Sequence, residues 1–271
     1  MRVYLSVDME GIAGVTNWEQ VEARGGVEYQ CYRHLLTAEV NSAVEAALKA
    51  GASSVTVNDA HGSMQNLVLD SLHPQAQLIS GYPKRLGMME AIDSGFEVAC
   101  LLGYHARAGS QGVLAHTCSE VVHRLKVNGQ EMGELGLNAL LAGYFGVPVV
   151  FVSGDQVVAA EARELLTDIE IVIIKQARNY HAARSLSPKL ARAKIRQGIT
   201  KALAKKGVKP LAPPSPVSIT IEFNSPARAA AAAILPRSRR QDAVTVTYSA
   251  NSYLEVYQAV RCLITMAKSC G

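Results

Sequence analysis

The chain has 271 residues, of which 49% are apolar and 18% charged, and its formal net charge is +4. This composition is typical of a well-packed globular protein and excludes a disordered or fibrous chain. No apolar run approaches the ~20 residues that a membrane-spanning helix needs. The first residues enter an apolar strand without a secretory signal pattern, so we predict a cytoplasmic protein that does not contact the membrane.

Strands and helices alternate along the chain. Apolar runs predict strands at 3–7, 54–58, 76–80, 97–102, 121–127, 147–152, 169–174, 217–223 and 243–248. Helical spacing predicts helices at 28–50, 84–93, 134–145, 155–166, 187–206 and 252–268, with an alanine-rich helix at 227–233. The alternation predicts an α/β fold with a mostly parallel central sheet flanked by helices.

Two further signals concern the sheet and the domain organisation. Asn128-Gly129 is a strong turn signal, which predicts an antiparallel hairpin with the strand before it. The proline-rich segment 209–216 is either an interdomain linker or a rigid loop, and its length does not decide between them. We predict a single domain over 1–271, with a smaller C-terminal α/β portion and 209–216 as the point where any subdivision would fall.

Residues 184–209 contain nine Lys or Arg and no Asp or Glu. Such a stretch can bind nucleic acid. Apolar residues interleave with these charges at helical spacing, however, and aromatic residues that would stack on bases are missing. We therefore interpret the stretch as the solvated face of an amphipathic helix and expect no nucleic-acid partner.

Three predicted strands end in side chains that can bind a metal. Asp8 and Glu10 follow the first strand, His61 follows the second, and His105 follows the strand at 97–102. In an open α/β sheet, ligands bind beyond the carboxyl ends of the strands, so these side chains are expected to meet. Each of them also has a structural interpretation, as an acidic turn or as a hydrogen-bonded histidine, and only their convergence favours a metal site.

Glu134 opens a predicted helix, where a glutamate is also favoured by the helix dipole. With it the set holds carboxylates and imidazoles but no thiolate, which suits Zn²⁺, Mn²⁺ or Co²⁺. Five ligands exceed what one catalytic zinc ion takes, whereas two ions sharing a carboxylate would use them all. The five cysteines are scattered and never spaced as C-x-x-C, which argues against both a disulfide framework and a thiolate zinc site.

His116 is a candidate acid/base or oxyanion stabiliser, although a buried structural histidine is the simpler interpretation of the sequence around it. We expect Asp59 and Asn58 to orient the metal-binding histidines, because such histidines donate their second ring N–H to a carboxylate or carbonyl. Cys118 lies near this segment, but nothing around it indicates an activated thiol.

Several separate motifs occur along the chain, at 6–11, 58–62, 103–106, 114–117, 128–129, 133–139, 146–149, 153–155 and 185–188. Together, and in this order, they resemble the D-aminopeptidase family of binuclear zinc peptidases. The resemblance implies that Asp8, Glu10, His61, His105 and Glu134 bind two Zn²⁺ ions, with Asp8 as the bridge and His116 assisting catalysis. It also implies removal of an N-terminal residue, often a D-amino acid, from short peptides.

The resemblance further implies a homo-oligomer, in the form of a decameric ring. The hypothesis is therefore an aminopeptidase in which a metal-bound hydroxide attacks the scissile carbonyl. The alternatives are a metal-dependent amidase or phosphoesterase with the same ligands, and a non-catalytic peptide-binding protein of the same fold. The segment 176–184 departs from the family pattern, in which a glycine precedes the alanines, so the peptide specificity can differ from that of the relatives.

Overall fold

The computed structural model describes residues 1–270. Twelve strands are described, here labelled in chain order: β1 Arg2–Val7, β2 Ser54–Asp59, β3 Ala76–Ile79, β4 Val98–Tyr104, β5 Val122–Val127, β6 Gln130–Glu131, β7 Val149–Asp155, β8 Glu170–Asn179, β9 Ala182–Ser185, β10 Val217–Phe223, β11 Arg239–Arg240 and β12 Thr245–Ala250. The described α-helices are α1 Val27–Lys49, α2 Glu134–Tyr144, α3 Gln156–Leu165, α4 Pro188–Ala204, α5 Pro226–Ala232 and α6 Tyr253–Lys268.

A seven-stranded sheet forms the centre of the molecule, in the order β3-β2-β1-β4-β7-β8-β9. Every neighbouring pair is parallel except β8 and β9, which form an antiparallel hairpin. The chain runs outward in one direction from β1 to β3, and then resumes on the other side of β1 with β4. The carboxyl ends of β1 and β4 therefore border the crevice in which α/β sheets bind ligands.

Both faces of this sheet are buried, which explains why its inner strands are almost continuously apolar. Successive residues of β1 point to opposite faces, so that Tyr4 packs in one hydrophobic cluster and Leu5 in the other. Helices α1 and α4 pack against each other on the Leu5 side. Residues of α2, α3 and α6 and of a second sheet cover the Tyr4 side.

The second sheet is antiparallel, with the order β11-β12-β10-β5-β6. The predicted hairpin at Asn128-Gly129 is present, and both residues have positive φ angles, of 47° and 85°, as a tight hairpin turn requires. It lies in this second sheet rather than in the central one. The smaller C-terminal portion thus shares a sheet with a hairpin from the middle of the chain.

One predicted helix is wrong. Residues 84–93 hold only a 3₁₀ turn at Gly87–Met89, because Gly87 and Ala91 adopt positive φ angles of 54° and 67°, which interrupt a right-handed helix. The strand predicted at 169–174 extends to Asn179, and the short strand β9 was not predicted.

The alanine-rich helix is present as α5, and α4 buries Ile195 and Ile199 on one side while Lys194 and Lys201 are exposed on the other. The proline-rich segment has no regular structure and packs so closely on α2 that a Cβ at Gly143 would lie 1.8 Å from the Leu211 carbonyl oxygen. The single-domain assignment stays a prediction. Within residues 1–270, no helix has the length and apolar character needed to cross a membrane.

Candidate metal centre

Two glycines bring the carboxyl ends of β1 and β4 into direct contact. A Cβ at Gly11 would lie 2.1 Å from the Tyr104 carbonyl oxygen, and one at Gly103 would lie 2.3 Å from the Asp8 carbonyl oxygen. Backbone hydrogen bonds from Asp8 to Leu102 and from Gly11 to Gly103, both 2.8 Å, fix this contact. The carboxylates of the first loop therefore lie beside His105, which follows β4 directly.

His61 is placed by the loop after β2. The Asp59 carboxylate accepts hydrogen bonds from the backbone N–H groups of Asn66 and Leu67, and the Asn66 side chain donates to the His61 carbonyl oxygen. The expectation that Asp59 or Asn58 orients the imidazole is wrong. The Nε2 of His61 instead donates to the carbonyl oxygen of Val21, at 2.8 Å, because the loop before α1 folds over the site.

Glu134 and His116 complete the cluster from two further elements. Glu134 is the first residue of α2, and its Oε1 accepts a hydrogen bond of 2.6 Å from the backbone N–H of Cys118. The His116 ring stacks on the His105 ring, with 4.0 Å between the ring centroids and an interplanar angle of 10°. All six residues predicted from the sequence are thus brought together.

The atoms of these side chains lie at distances that suit bridging by ions. His61 Nδ1 lies 3.2 Å from Asp8 Oδ1 and 3.0 Å from Glu10 Oε2. His105 Nε2 lies 3.5 Å from Asp8 Oδ2 and 3.4 Å from Glu134 Oε1. Asp8 therefore presents one oxygen to a group with Glu10 and His61, and the other to a group with His105 and Glu134.

His116 belongs to a third group of potential ligand atoms, with Glu10 and His105. Its Nε2 lies 3.6 Å from Glu134 Oε1 and 4.0 Å from Glu10 Oε1. It is the least buried of the three histidines, and it lines the cleft described below.

The donor chemistry fits a metal. Asp8 Oδ2, Glu10 Oε2 and His105 Nε2 are buried without a hydrogen-bond partner, which is costly unless something else satisfies them. Each of the three histidines donates one ring N–H to a backbone carbonyl, of Val21, Ala106 or Leu114, which directs its other nitrogen toward the carboxylates. This is the arrangement in which imidazole binds zinc.

The electrostatics point the same way. Burial and the neighbouring Glu10 raise the pKa of Asp8 to about 7. Burial alone would raise the pKa of Glu10 and lower that of His61, but the attraction between the two reverses both effects, so that the pKa of Glu10 is lowered and that of His61 is raised. The carboxylates thus favour positive charge beside them. A metal ion can supply this charge, and it competes with protons for the carboxylate oxygens and imidazole nitrogens.

An open cleft of about 1030 Å³ leads to this cluster. Asp8, Glu10, His61, His116 and Glu134 line its floor. Its walls come from the loop before α1, including Trp18 and Arg24, from the loop after β2, and from one face of α6. The edge of the Trp18 ring meets the His116 ring, with 5.2 Å between the centroids.

Two positioning residues were missed from the sequence. The ammonium of Lys175, on β8, is buried and donates to the carbonyl oxygens of Glu10, Ile12 and Val15, the last at 2.7 Å. Asp155 caps α3 and also accepts a hydrogen bond from the backbone N–H of Val113 in the His116 loop. A lysine directly after the apolar run at 171–174 was the available signal for the first of them.

The segment that departs from the family pattern is the β8–β9 hairpin. The carbonyl oxygen of Tyr180 accepts a hydrogen bond from Leu114 in the His116 loop. The Tyr180 side chain and His116 also line a second, smaller cavity of about 220 Å³. The hairpin therefore contacts the loop that carries His116.

Comparison with known proteins decides the family. The sequence model of the D-aminopeptidase family (peptidase family M55) matches residues 1–262. The chain belongs to the D-aminopeptidase family. It is 39% identical, over 269 residues and 98% of each chain, to the D-aminopeptidase of Bacillus subtilis (strain 168).

A solved structure agrees with this assignment. It is described as a Zn-dependent D-aminopeptidase, DppA, from Bacillus subtilis, a self-compartmentalizing protease. The two folds superpose with a TM-score of 0.96 at 38% identity, covering 99% of this chain and 98% of the other. The predicted family, the α/β fold and the classification as a metal-dependent aminopeptidase are thereby confirmed.

Proposed function

We propose that this protein removes an N-terminal residue, of the D configuration, from short peptides at a centre of two Zn²⁺ ions. The observation that carries the proposal is the position of Asp8, whose two oxygens belong to two separate groups of potential ligand atoms. One ion would be held by Asp8, Glu10 and His61, and the other by Asp8, His105 and Glu134. The zinc dependence of the Bacillus subtilis relative supports the choice of metal, and Mn²⁺ or Co²⁺ would fit the same ligands.

When bound, zinc ions would polarise the scissile carbonyl and lower the pKa of a water molecule, which could then lose a proton and attack that carbonyl. The protein's own contribution includes His116 as a base that could take up that proton. His116 Nδ1 donates to the Leu114 carbonyl oxygen, so its Nε2 is the atom left to accept a proton. Burial and the neighbouring His105 lower the pKa of His116, which keeps Nε2 unprotonated near neutral pH. The same atom can then return the proton to the leaving amine.

The cleft sets the size of the substrate. A volume of about 1030 Å³ corresponds to the upper range of small-molecule pockets, which holds a short peptide but not a folded chain. Trp18 against His116 narrows the approach to the carboxylates. We therefore propose dipeptides and other short peptides as substrates.

We further propose that the protein assembles into a homo-oligomer, in the form of a decameric ring, and works in the cytoplasm. The description of the Bacillus subtilis relative as a self-compartmentalizing protease supports an assembly in which the clefts face an enclosed space. Light scattering of the purified protein would give the mass of the assembly. A monomer at micromolar concentration would contradict this part of the proposal.

The experiment for the activity is release of alanine from D-Ala-D-Ala and from L-Ala-L-Ala, before chelation, after it, and after zinc is restored. We expect cleavage of the D-peptide that chelation abolishes and zinc restores. The matched variant is His116→Asn, which should bind zinc like the natural protein but cleave at least 10²-fold more slowly, because general acid–base catalysis contributes about 10²–10⁴-fold. Cleavage that survives chelation would contradict the proposal, and so would a preference for the L-peptide.

A further inference from the structure

One face of α6 forms a wall of the cleft. It presents residues at helical spacing, so that a single stripe of the helix meets the cleft. These residues are Tyr257, Val260, Arg261, Ile264, Thr265 and Lys268. The two charged members, Arg261 and Lys268, are both cationic, whereas the floor of the cleft carries the carboxylates of the metal centre.

Arg261 is held in place without a carboxylate partner. Its Nη1 donates to the carbonyl oxygen of Arg85 at 2.5 Å, and its guanidinium lies over Gly87, where a Cβ would come within 2.9 Å of Nε. Within residues 1–270, neither Arg261 nor Lys268 forms an ion pair with a carboxylate. Other arginines do, as Arg107 does with Glu131 at 2.7 Å. An oriented guanidinium that faces a cleft unpaired is suited to bind an anion that enters the cleft.

A chain of hydrogen bonds places this cationic wall close to the metal centre. Tyr257, one helical turn before Arg261, donates its hydroxyl to Asn138 Oδ1 at 2.9 Å. The Asn138 side chain donates in turn to the hydroxyl of Tyr104, also at 2.9 Å, and Tyr104 directly precedes His105. Arg261 thus lies one helical turn beyond a residue that is linked to Tyr104 through Asn138, and Lys268 lies about 10 Å further along the helix.

We propose that Arg261 binds the C-terminal carboxylate of the peptide substrate, so that the enzyme selects short peptides with a free C-terminus. The inference rests on the proposed aminopeptidase function, in which the reacting N-terminal end of the peptide lies at the metal centre. The one anionic group that every such peptide carries is then at its other end. Lys268 adds positive charge for peptides that extend further, since each additional residue spans at most ~3.5 Å.

The first test compares two substrates of the natural enzyme, D-Ala-D-Ala and its C-terminal amide, with zinc present. Because charge-assisted hydrogen bonds to a carboxylate are strong, we expect kcat/KM to be about 10- to 100-fold lower for the amide, mainly through a higher KM. Equal values for the two substrates would overturn the inference while leaving the aminopeptidase intact. Hydrolysis of neither substrate would refute the proposed function itself, and the inference with it.

The second test uses a variant. Arg261→Gln should reduce the ratio of acid to amide kcat/KM toward one, and Arg261→Lys should restore part of it. Arg163→Gln, at an exposed helical position outside the cleft, is the matched control and should keep the natural ratio. Melting temperatures show whether the Arg261 variants are folded. A folded Arg261→Gln variant that loses the same factor on both substrates would contradict carboxylate binding.

Discussion

Glu39 offers a sharp test of the packing behind the metal loop. It lies on α1 with 1% of its surface exposed, its Oε1 accepts a hydrogen bond from the Ala13 N–H, and its Oε2 has no partner. Burial raises the pKa of this carboxyl from 4.5 to about 7, and the Ala13 hydrogen bond and the charges of Lys175 and Arg192 only partly oppose it. The folded protein therefore binds the Glu39 proton more tightly than the unfolded chain does.

The sign of the pH dependence follows from this difference. Protonated Glu39 contributes stability that is fully present below pH 4.5, is lost as the pH rises, and is gone above about pH 7. At about 1.4 kcal/mol for each pH unit, the total is about 3 kcal/mol, of which about 2.5 kcal/mol falls between pH 5 and pH 8. Glu39→Gln removes the ionisation but keeps an oxygen for the Ala13 N–H.

Thermal unfolding of the natural protein and of Glu39→Gln, at pH 5 and at pH 8 and at fixed protein and zinc concentrations, measures the effect. The variant should gain about 2.5 kcal/mol relative to the natural protein between the two pH values, or about 5–10 °C in Tm. Glu164→Gln, at an exposed position of α3, controls for the loss of one charge. A stability difference that is the same at both pH values would refute the reasoning.

Three further predictions concern the site. His105→Ala should lower the zinc content by one ion per chain and abolish cleavage, because it removes a ligand atom; full activity would exclude His105 from the centre. Lys175→Met leaves three carbonyl oxygens of the Glu10 loop unpaired and should weaken zinc binding about 10-fold or more, as measured by competition with a chelator, whereas exposed Lys194→Met should not. Gly11→Ala should lower the free energy of unfolding by at least ~2 kcal/mol in denaturant titration, because its Cβ would overlap the Tyr104 carbonyl oxygen; an unchanged midpoint would contradict that close contact.

The alternation of elements was predictable because the core strands are buried on both faces and therefore apolar along their length. The prediction of a helix at 84–93 was wrong because the spacing of apolar residues carries no information about backbone φ angles. Ala91 adopts a positive φ angle, which is not expected of an alanine. The pairing of β5, the first strand of the hairpin, with β10 could not be predicted either. It depends on contacts between segments about 90 residues apart in the chain.

The proposed ligand residues were predictable because each follows an apolar strand or opens a helix, so local patterns mark them. Their partners were not. His61 is oriented by the backbone carbonyl of Val21, in the loop before α1. Every residue has a backbone carbonyl, so the amino-acid sequence does not indicate which one accepts this hydrogen bond. Lys175 was missed for a related reason, since its role depends on three carbonyl groups about 160 residues earlier in the chain.

The number of zinc ions bound per chain tests the central claim most directly. Elemental analysis of the protein after zinc loading and removal of excess metal should give two ions for the natural protein. Asp8→Ala removes the carboxylate that both groups of ligand atoms share, so it should lower the affinity for both ions. A natural protein that binds one zinc ion or none under these conditions would contradict the binuclear centre on which the account depends.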